Sequence, residues 1–268
     1  MNDQTLRRSN VRVLGDPDAA RTLVFAHGFG SNQASWRFVV DALARDHRVV
    51  LLDLIGHGGS DPGAFSRVRH GALDGFADDL IEVADALALR GAVAVAHSAS
   101  GVIAALAATK RPELFERIVM ISTSPRYVDE PGYVGGFDQA GVDAVLRAMA
   151  ADFDGWLRGL APNAMSAPDQ PLLATEFAQS IAAMNPATAL VVMRSILTMD
   201  HRRTLAQLAA PVLLLQPSDD VFVPAEVGAY LARTMRQCTL RTIDAPGHFP
   251  HMTTPNVVID AIRDFLAR

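Results

Sequence analysis

The sequence predicts an α/β fold with a mostly parallel sheet, and two features of its hydrophobic pattern support this. Short apolar runs rich in Val, Ile and Leu alternate with longer segments whose apolar residues recur at helical spacing. Most of the short runs are apolar throughout, which is typical of strands buried on both faces of a parallel sheet. Strand alternating with helix indicates βαβ units, so we expect helices on both faces of the sheet.

The predicted core elements follow one another in a regular order. Six apolar runs are predicted to be strands: Thr22–Gly28, Arg48–Leu54, Ala92–His97, Arg117–Ser122, Pro211–Gln216 and Thr239–Asp244. The segments between and after them keep apolar residues at helical spacing and are predicted to be helices: Trp36–Asp46, Gly75–Leu89, Ser100–Lys110, Pro224–Met235 and Pro255–Arg268.

The alternation stops between about Ser124 and Asp200, where helical stretches follow one another without a convincing strand. Gly- and Pro-rich turns such as EPGYVGGFD and APNAMSAPDQP separate these stretches. We therefore predict a core formed by residues 1–123 and 201–268, with residues 124–200 inserted as a helical lid. No linker, internal repeat or low-complexity tract indicates a second independent domain.

The composition of the 268 residues excludes several classes of protein. Hydrophobic residues make up 50% and charged residues 20%, so the chain can form a large core. The net charge is −5 without clustered basic residues, which argues against nucleic-acid binding. Cys238 is the single cysteine, so there is no disulfide framework. The polar N-terminal segment and the lack of a long apolar run predict a cytoplasmic protein that does not contact a membrane.

A serine lies where a predicted strand runs directly into a predicted helix, in the segment VAVAHSASGV (Val93–Val102). The arrangement is similar to the nucleophile turn G-x-S-x-G, with Ala96 and Ser100 at the glycine positions. Small residues are needed there because the turn brings neighbouring backbone close. The pattern also fits an ordinary strand-to-helix turn, so Ser98 alone does not establish a nucleophile.

A serine nucleophile needs a histidine as its general base and a carboxylate that orients the histidine. The segment QPSDDVFVP follows a predicted buried strand and offers Asp219 and Asp220, and APGHFPHM follows the next strand and offers His248 and His251. We favour Asp220, because of its position before the next helix, and His248, because Gly247 frees the backbone. The chain order Ser, Asp, His then matches the order typical of this triad.

The segment FAHGFGSN after the first predicted strand offers a glycine-lined loop. Such a loop can supply a second oxyanion donor, here the backbone N–H of Phe29 beside that of Ala99. A phosphate-binding loop is excluded because neither G-x-x-x-x-G-K-[ST] nor a G-x-G-x-x-G that opens a helix is present. The glycines of DLIGHGGSD (Asp53–Asp61) have the wrong spacing for a dinucleotide site, so Asp53 and His57 are interpreted as structural.

These motifs resemble the α/β-hydrolase superfamily over nearly the whole chain. The sequence is more closely similar to the RsbQ group, which includes the plant karrikin and strigolactone receptors. The segments that carry this resemblance are HGFGSNQASW, DLIGHGGSD, AHSASG, RPELFERIVMISTSPRY, GGFD, DHR, QPSDDVFVP and GHFPHM. Ala96 departs from the pattern of the group, which usually has glycine there, and its methyl group is expected to crowd the turn.

The resemblance implies a sheet of about eight strands beneath a lid of about four helices. It also implies an apolar pocket under the lid, with Ser98, His248 and Asp220 at its floor. The candidate pocket residues by similarity are Phe29, His97, Trp156, Phe222 and Phe249, although Trp156 and Phe222 fit ordinary core packing equally well.

Three functions are compatible with these residues. The first is a serine hydrolase, without metal or organic cofactor, that cleaves a small hydrophobic ester or butenolide-like lactone. The second, implied by the resemblance, is a small-molecule sensor with slow hydrolysis that acts through a signalling protein partner. The third is a C–C bond hydrolase, which uses the same triad.

Overall fold

The computed structural model describes residues 3–268 and contains one mixed sheet of seven strands within them. The strand order is β1-β3-β2-β4-β5-β6-β7, with β1 antiparallel to β3 and all other neighbours parallel. The strands are Arg12–Leu14 (β1), Thr22–Ala26 (β2), Arg48–Leu52 (β3), Ala92–His97 (β4), Phe115–Ile121 (β5), Val212–Asp219 (β6) and Cys238–Pro246 (β7). The predicted α/β class with a mostly parallel sheet is confirmed.

The sheet has seven strands in the described residues, one fewer than the about eight that the resemblance implied. All six predicted strands are present, with their ends shifted by a few residues. The additional strand β1 is short and largely exposed, so it lacks the apolar pattern that revealed the others.

Residues Asp3–Arg8 form a helix (α1) with Asp3 in its first turn and basic residues in its last, which suits the helix dipole. No stretch of chain remains for a further edge strand before β1 in the described residues.

Twelve further helices follow α1. In the core they are Arg37–Leu43 (α2), Arg67–His70 (α3), Leu73–Ala86 (α4) and Ala99–Lys110 (α5). Between β5 and β6 lie Gln139–Ala151 (α6), Phe153–Met165 (α7), Pro171–Ala182 (α8) and Pro186–Leu197 (α9). After them come Arg202–Gln207 (α10), Ala225–Thr234 (α11), Pro250–Thr253 (α12) and Pro255–Leu266 (α13). Short 3₁₀ helices span Gln33–Trp36 and Pro62–Ala64.

The sheet is covered by helices on both faces. Alternate residues of β4 show this, because Val93 and Val95 pack with α2 and α13, whereas Ala94 and Ala96 pack with α4 and α5. Both faces of each central strand are therefore apolar, which explains the continuous hydrophobic runs in the sequence.

Helices α6–α9 lie between β5 and β6, in the region where the sequence predicted successive helical stretches and the resemblance implied about four helices. Apolar side chains of α7 and α8 form a cluster with Phe249 and Met252 from the core, whereas α6 and α9 also contribute apolar side chains to the core cluster that contains α4 and α5. Arg37 in α2 and Glu176 in α8 form a bidentate ion pair between core and insertion, at 2.7 and 2.6 Å. Within residues 3–268 no single helix combines the length and apolar composition needed to cross a membrane. Helices α8 and α9 reach that length and composition only when taken together, and the pair is bent by 107°.

Candidate active site

The loops that follow β2, β4, β6 and β7 meet at the carboxyl edge of the sheet, where parallel α/β sheets place their sites. Ser98 lies in the tight turn between β4 and α5, with φ 57° and ψ −126°. This conformation is strained for a residue with a side chain and costs about 1–3 kcal/mol. Hydrogen bonds from Ser98 N to Ile121 O (2.8 Å) and from Thr123 Oγ1 to Ser98 O (3.1 Å) fix the turn.

The small residues around Ser98 allow close packing. A Cβ atom on Gly101 would lie 2.2 Å from Thr123 Oγ1, so the first turn of α5 can approach β5 only because Gly101 has no side chain. Ala96 is fully buried, and β4 keeps its pairing with both neighbours through this residue. The expected crowding by the Ala96 methyl group therefore produces no register shift in the strand at that position.

Three of the predicted site residues form a continuous hydrogen-bonded chain. The Ser98 hydroxyl lies 2.8 Å from His248 Nε2, and His248 Nδ1 lies 2.9 Å from both carboxylate oxygens of Asp220. Because a carboxylate only accepts hydrogen bonds, Nδ1 carries the proton and Nε2 is free to accept one from Ser98. The arrangement can remove the serine proton and stabilise the resulting imidazolium.

The structure distinguishes the alternative aspartate and histidine. Asp219 is exposed and ends β6, and its carbonyl oxygen accepts a hydrogen bond from Gly247 N. Asp220 has a buried carboxylate whose Oδ1 also accepts hydrogen bonds from Phe222 N and Val223 N. His251 is fully buried, and its ring packs on Trp36 with 4.3 Å between centroids. Asp219 and His251 are therefore outside the hydrogen-bonded chain.

The backbone of His248 is held from two sides. Its N–H donates to Ala164 O in α7 (2.8 Å), and its carbonyl accepts a hydrogen bond from His97 Nε2 (2.8 Å). Gly247 adopts a positive φ of 66°, and a Cβ there would lie 2.3 Å from Met165 O. Gly247 thus allows the end of α7 to lie close to the backbone of His248.

The loop after β2 passes beside the Ser98 turn. A Cβ on Gly28 would lie 2.6 Å from His97 Nδ1 and 3.1 Å from Ser98 Cβ, so loop and turn are in direct contact. Phe29 follows Gly28 directly, and Phe29 and Ala99, the first residue of α5, both line one small cavity. The first N–H groups of a helix and its dipole favour negative charge, which is the requirement for binding an oxyanion.

An apolar cavity of about 130 Å³ lies between this edge of the sheet and helices α6–α9. The five predicted pocket residues, Phe29, His97, Trp156, Phe222 and Phe249, all line it together with Ser98 and His248. The cavity also contacts residues that the sequence analysis missed: Tyr127, Phe137, Val145, Leu160, Phe177, Met193, Ile196 and Leu197. For the missed residues in α7 and α9, the helical spacing of apolar residues was a signal in the sequence, since apolar residues three or four positions apart share one face of a helix.

Among the described residues, no Asp, Glu, Lys or Arg side chain lines the cavity. The lining residues that have polar side-chain atoms are Ser98, His248, His97, Tyr127 and Trp156. Burial, followed by the neighbouring His251 and His248, keeps the pKa of His97 well below its usual value. Burial also raises the pKa of Tyr127, with Ser98 acting in the opposite direction. The walls therefore hold no carboxylate, lysine or arginine side chain, which suits a neutral ligand.

Asp53 and His57 have the structural environment that was expected of them. The carboxylate of Asp53 accepts hydrogen bonds from Gln33 N (2.7 Å), Gly59 N (2.8 Å) and Asn10 Nδ2 (2.7 Å). His57 is buried, and burial lowers its pKa to about 3. Within residues 3–268 no group of three or more His, Cys, Asp or Glu side chains is arranged to hold a metal ion.

Comparison with known proteins identifies the family. Residues 21–255 match the family described as the alpha/beta hydrolase fold. The chain belongs to the α/β-hydrolase family. It is 35% identical to the strigolactone esterase of Arabidopsis thaliana over 264 residues, covering 98% of each chain. It is also 32% identical to a karrikin insensitive 2 receptor of Petunia hybrida, covering 94% of this chain and 92% of the relative.

A solved structure agrees with these relatives. The hydrolase olei00960 from Oleispira antarctica superposes with a TM-score of 0.96 at 31% identity, covering 99% of this chain and 97% of the other. The predicted resemblance to α/β-hydrolases related to plant receptors is confirmed, and so is the hydrolase class.

Proposed function

We propose that this α/β-hydrolase is a serine esterase or lactonase for small, neutral, hydrophobic substrates. The observation that carries the proposal is the chain Asp220–His248–Ser98, with distances of 2.9 and 2.8 Å, at the floor of an apolar cavity. The strigolactone esterase relatives support ester or lactone cleavage, and butenolide-like lactones are the substrate class we favour.

The proposed reaction has two stages. Ser98 Oγ bonds to the substrate carbonyl carbon while His248 Nε2 takes the hydroxyl proton, and the carbonyl oxygen becomes an oxyanion. The N–H groups of Phe29 and Ala99 stabilise this oxyanion. The bond to the leaving oxygen then breaks, and that oxygen takes the proton from His248. In the second stage, water gives a proton to His248 and attacks the acyl-enzyme, which releases the acid and restores the Ser98 hydroxyl.

We further propose that residues 124–200 form a lid over the core of residues 1–123 and 201–268. Met1 and Asn2, at the start of that core segment, lie outside the described residues. The proposal is supported by α7 and α9, which line the cavity, and by the Ala164–His248 hydrogen bond. A lid of this kind excludes water during acylation and selects substrates by the shape of its apolar side chains.

A sensor is the second candidate function, because relatives at 32–34% identity are named karrikin insensitive 2 receptors. In that role the protein would bind a small lactone, hydrolyse it slowly and present a changed surface to a signalling protein. The same triad serves both roles, so the turnover rate and the lifetime of the adduct distinguish them.

The test follows hydrolysis of p-nitrophenyl acetate and of a butenolide probe over full time courses, with intact-protein mass measured in parallel. Ser98→Ala should abolish turnover and any added mass, while Ser122→Ala, a matched change of another buried serine, should retain both. Sustained turnover without a lasting adduct supports an esterase, and a single burst with added mass on Ser98 supports a sensor. Undiminished hydrolysis by Ser98→Ala would overturn the triad.

A further inference from the structure

Ser100 occupies a position where the nucleophile turn commonly has glycine, and its hydroxyl makes a specific contact. Ser100 Oγ donates a hydrogen bond of 2.5 Å to the carbonyl oxygen of His27. Both residues are fully buried, so water does not compete for this bond. The bond joins two segments that are 73 residues apart, the first turn of α5 and the loop after β2.

The His27 peptide is the fixed end of the loop that carries Phe29. The His27 ring is itself held, because its Nδ1 lies 2.8 Å from Gly28 O and its Nε2 accepts a hydrogen bond from Leu54 N (3.0 Å). These bonds position the ring against its own loop and the segment that follows β3. Among the described contacts of His27, the Ser100 hydroxyl is the one that ties its backbone to helix α5.

We infer that Ser100 is a positioning residue for the oxyanion hole, an inference that rests on the proposed serine-hydrolase function. The two proposed donors, Phe29 N–H and Ala99 N–H, come from the two segments that this hydroxyl joins. Ser100 follows Ala99 directly, and His27 precedes Phe29 by two residues. The Ser100–His27 bond therefore helps to set the separation of the two donors, together with the packing of Gly28 against the Ser98 turn.

The separation of the donors matters most when charge develops on the substrate oxygen. Donors stabilise an oxyanion best when both are about 2.7–3.1 Å from it. Without the hydroxyl, the buried His27 carbonyl loses its partner on α5, and the loop can move away from the helix. This displacement weakens binding of the oxyanion but leaves the apolar walls that bind the neutral substrate in place.

The test compares Ser100→Ala with Ser122→Ala. Ser122 is a suitable control because it is also fully buried, follows β5 at the same edge of the sheet, and has a hydroxyl without a hydrogen-bond partner in the described structure. For hydrolysis of p-nitrophenyl acetate, we expect Ser100→Ala to lower kcat about 10-fold. This is less than the roughly 10²–10³-fold loss of kcat that follows removal of one oxyanion-hole donor. KM should change less than about 2-fold, and Ser122→Ala should leave both constants unchanged.

Phenylboronic acid provides a second readout of the oxyanion hole. Its boron accepts Ser98 Oγ, the serine proton passes to His248, and the tetrahedral anion places an oxygen where the oxyanion would be. The inhibition constant of phenylboronic acid should rise in Ser100→Ala by the same factor by which kcat falls. The inhibition constant of 4-nitrotoluene, a neutral ligand without a carbonyl group, should not change.

The outcomes separate this inference from the proposed function. Unchanged kcat and boronate inhibition in Ser100→Ala would overturn the positioning role, and so would an equal loss for boronate and 4-nitrotoluene, which indicates general damage to the pocket. If instead Ser98→Ala keeps full hydrolysis, the serine-hydrolase function itself fails. A loss confined to kcat and boronate affinity supports the role of Ser100.

Discussion

Replacing Asp220 by asparagine changes the charge and one hydrogen-bonding group of the proposed triad without changing its size. In the protein, Asp220 Oδ1 accepts hydrogen bonds from Phe222 N (3.0 Å) and Val223 N (3.1 Å). These two donors require an oxygen at the Oδ1 position. The amide oxygen of asparagine should therefore lie there, and its NH₂ group should take the Oδ2 position, 2.9 Å from His248 Nδ1.

An NH₂ group at that position favours the wrong tautomer of His248. A protonated Nδ1 can still donate to the amide oxygen at Oδ1, but it then faces the NH₂ group, a second donor, at 2.9 Å. Loss of the Nδ1 proton removes this repulsion and lets Nδ1 accept a hydrogen bond from NH₂. The proton then resides on Nε2, which can no longer accept the proton of Ser98. We expect kcat/KM to fall by roughly 10³–10⁴-fold, equivalent to about 4–5 kcal/mol of transition-state stabilisation.

The assay is hydrolysis of p-nitrophenyl acetate at pH 7, with thermal melting to verify that each variant is folded. Asp219→Asn is the matched control, since Asp219 is adjacent, exposed and outside the hydrogen-bonded chain. Its kcat/KM should stay within about 2-fold of the wild-type value. A loss of less than 10-fold in Asp220→Asn, or a larger loss in Asp219→Asn, would refute this assignment of the carboxylate.

Two further predictions concern stability. Burial lowers the pKa of His251 to about 3, so between pH 6.5 and 3 the unfolded chain binds more protons at this residue and stability falls as the pH falls. His251→Phe keeps a ring against Trp36 but cannot bind this proton. Between pH 7 and pH 5, its free energy of unfolding, measured with urea, should fall by about 2 kcal/mol less than that of the wild type. An identical fall in both proteins would contradict this. Gly159→Ala in α7 meets no atom within 4 Å and should raise the free energy of unfolding by about 0.5–1 kcal/mol. Gly101→Ala, 2.2 Å from Thr123 Oγ1, should lower it, and calorimetry giving the same sign for both would show that the packing argument fails.

The buried strands were predictable from sequence because their signal is local. Most of the six expected strands are continuous apolar runs, and all six are present in the sheet. The turn at Ser98 was also predictable, since small residues around a serine between strand and helix reflect a local backbone requirement. The edge strand β1 was not predictable from the sequence, because it is short and exposed and therefore carries little hydrophobic pattern.

The choice between adjacent candidates depended on contacts that sequence does not encode locally. Asp219 and Asp220 are chemically identical neighbours, and the backbone direction after β6 buries the second and exposes the first. The same holds for His248 and His251, of which the second packs against Trp36, more than 200 residues away in the chain. The roles of these residues in catalysis remain predictions that the variants above test.

The sequence by itself determined the fold class, the succession of core strands along the chain and the set of residues from which a triad could be drawn. Tertiary structure decided which of them meet, which faces of α7 and α9 close the cavity, and that the Ser100 hydroxyl reaches His27. The physical reason is that a helical or strand period shows which residues share an apolar face. It does not show which apolar faces pack together, because that depends on long-range contacts between distant segments.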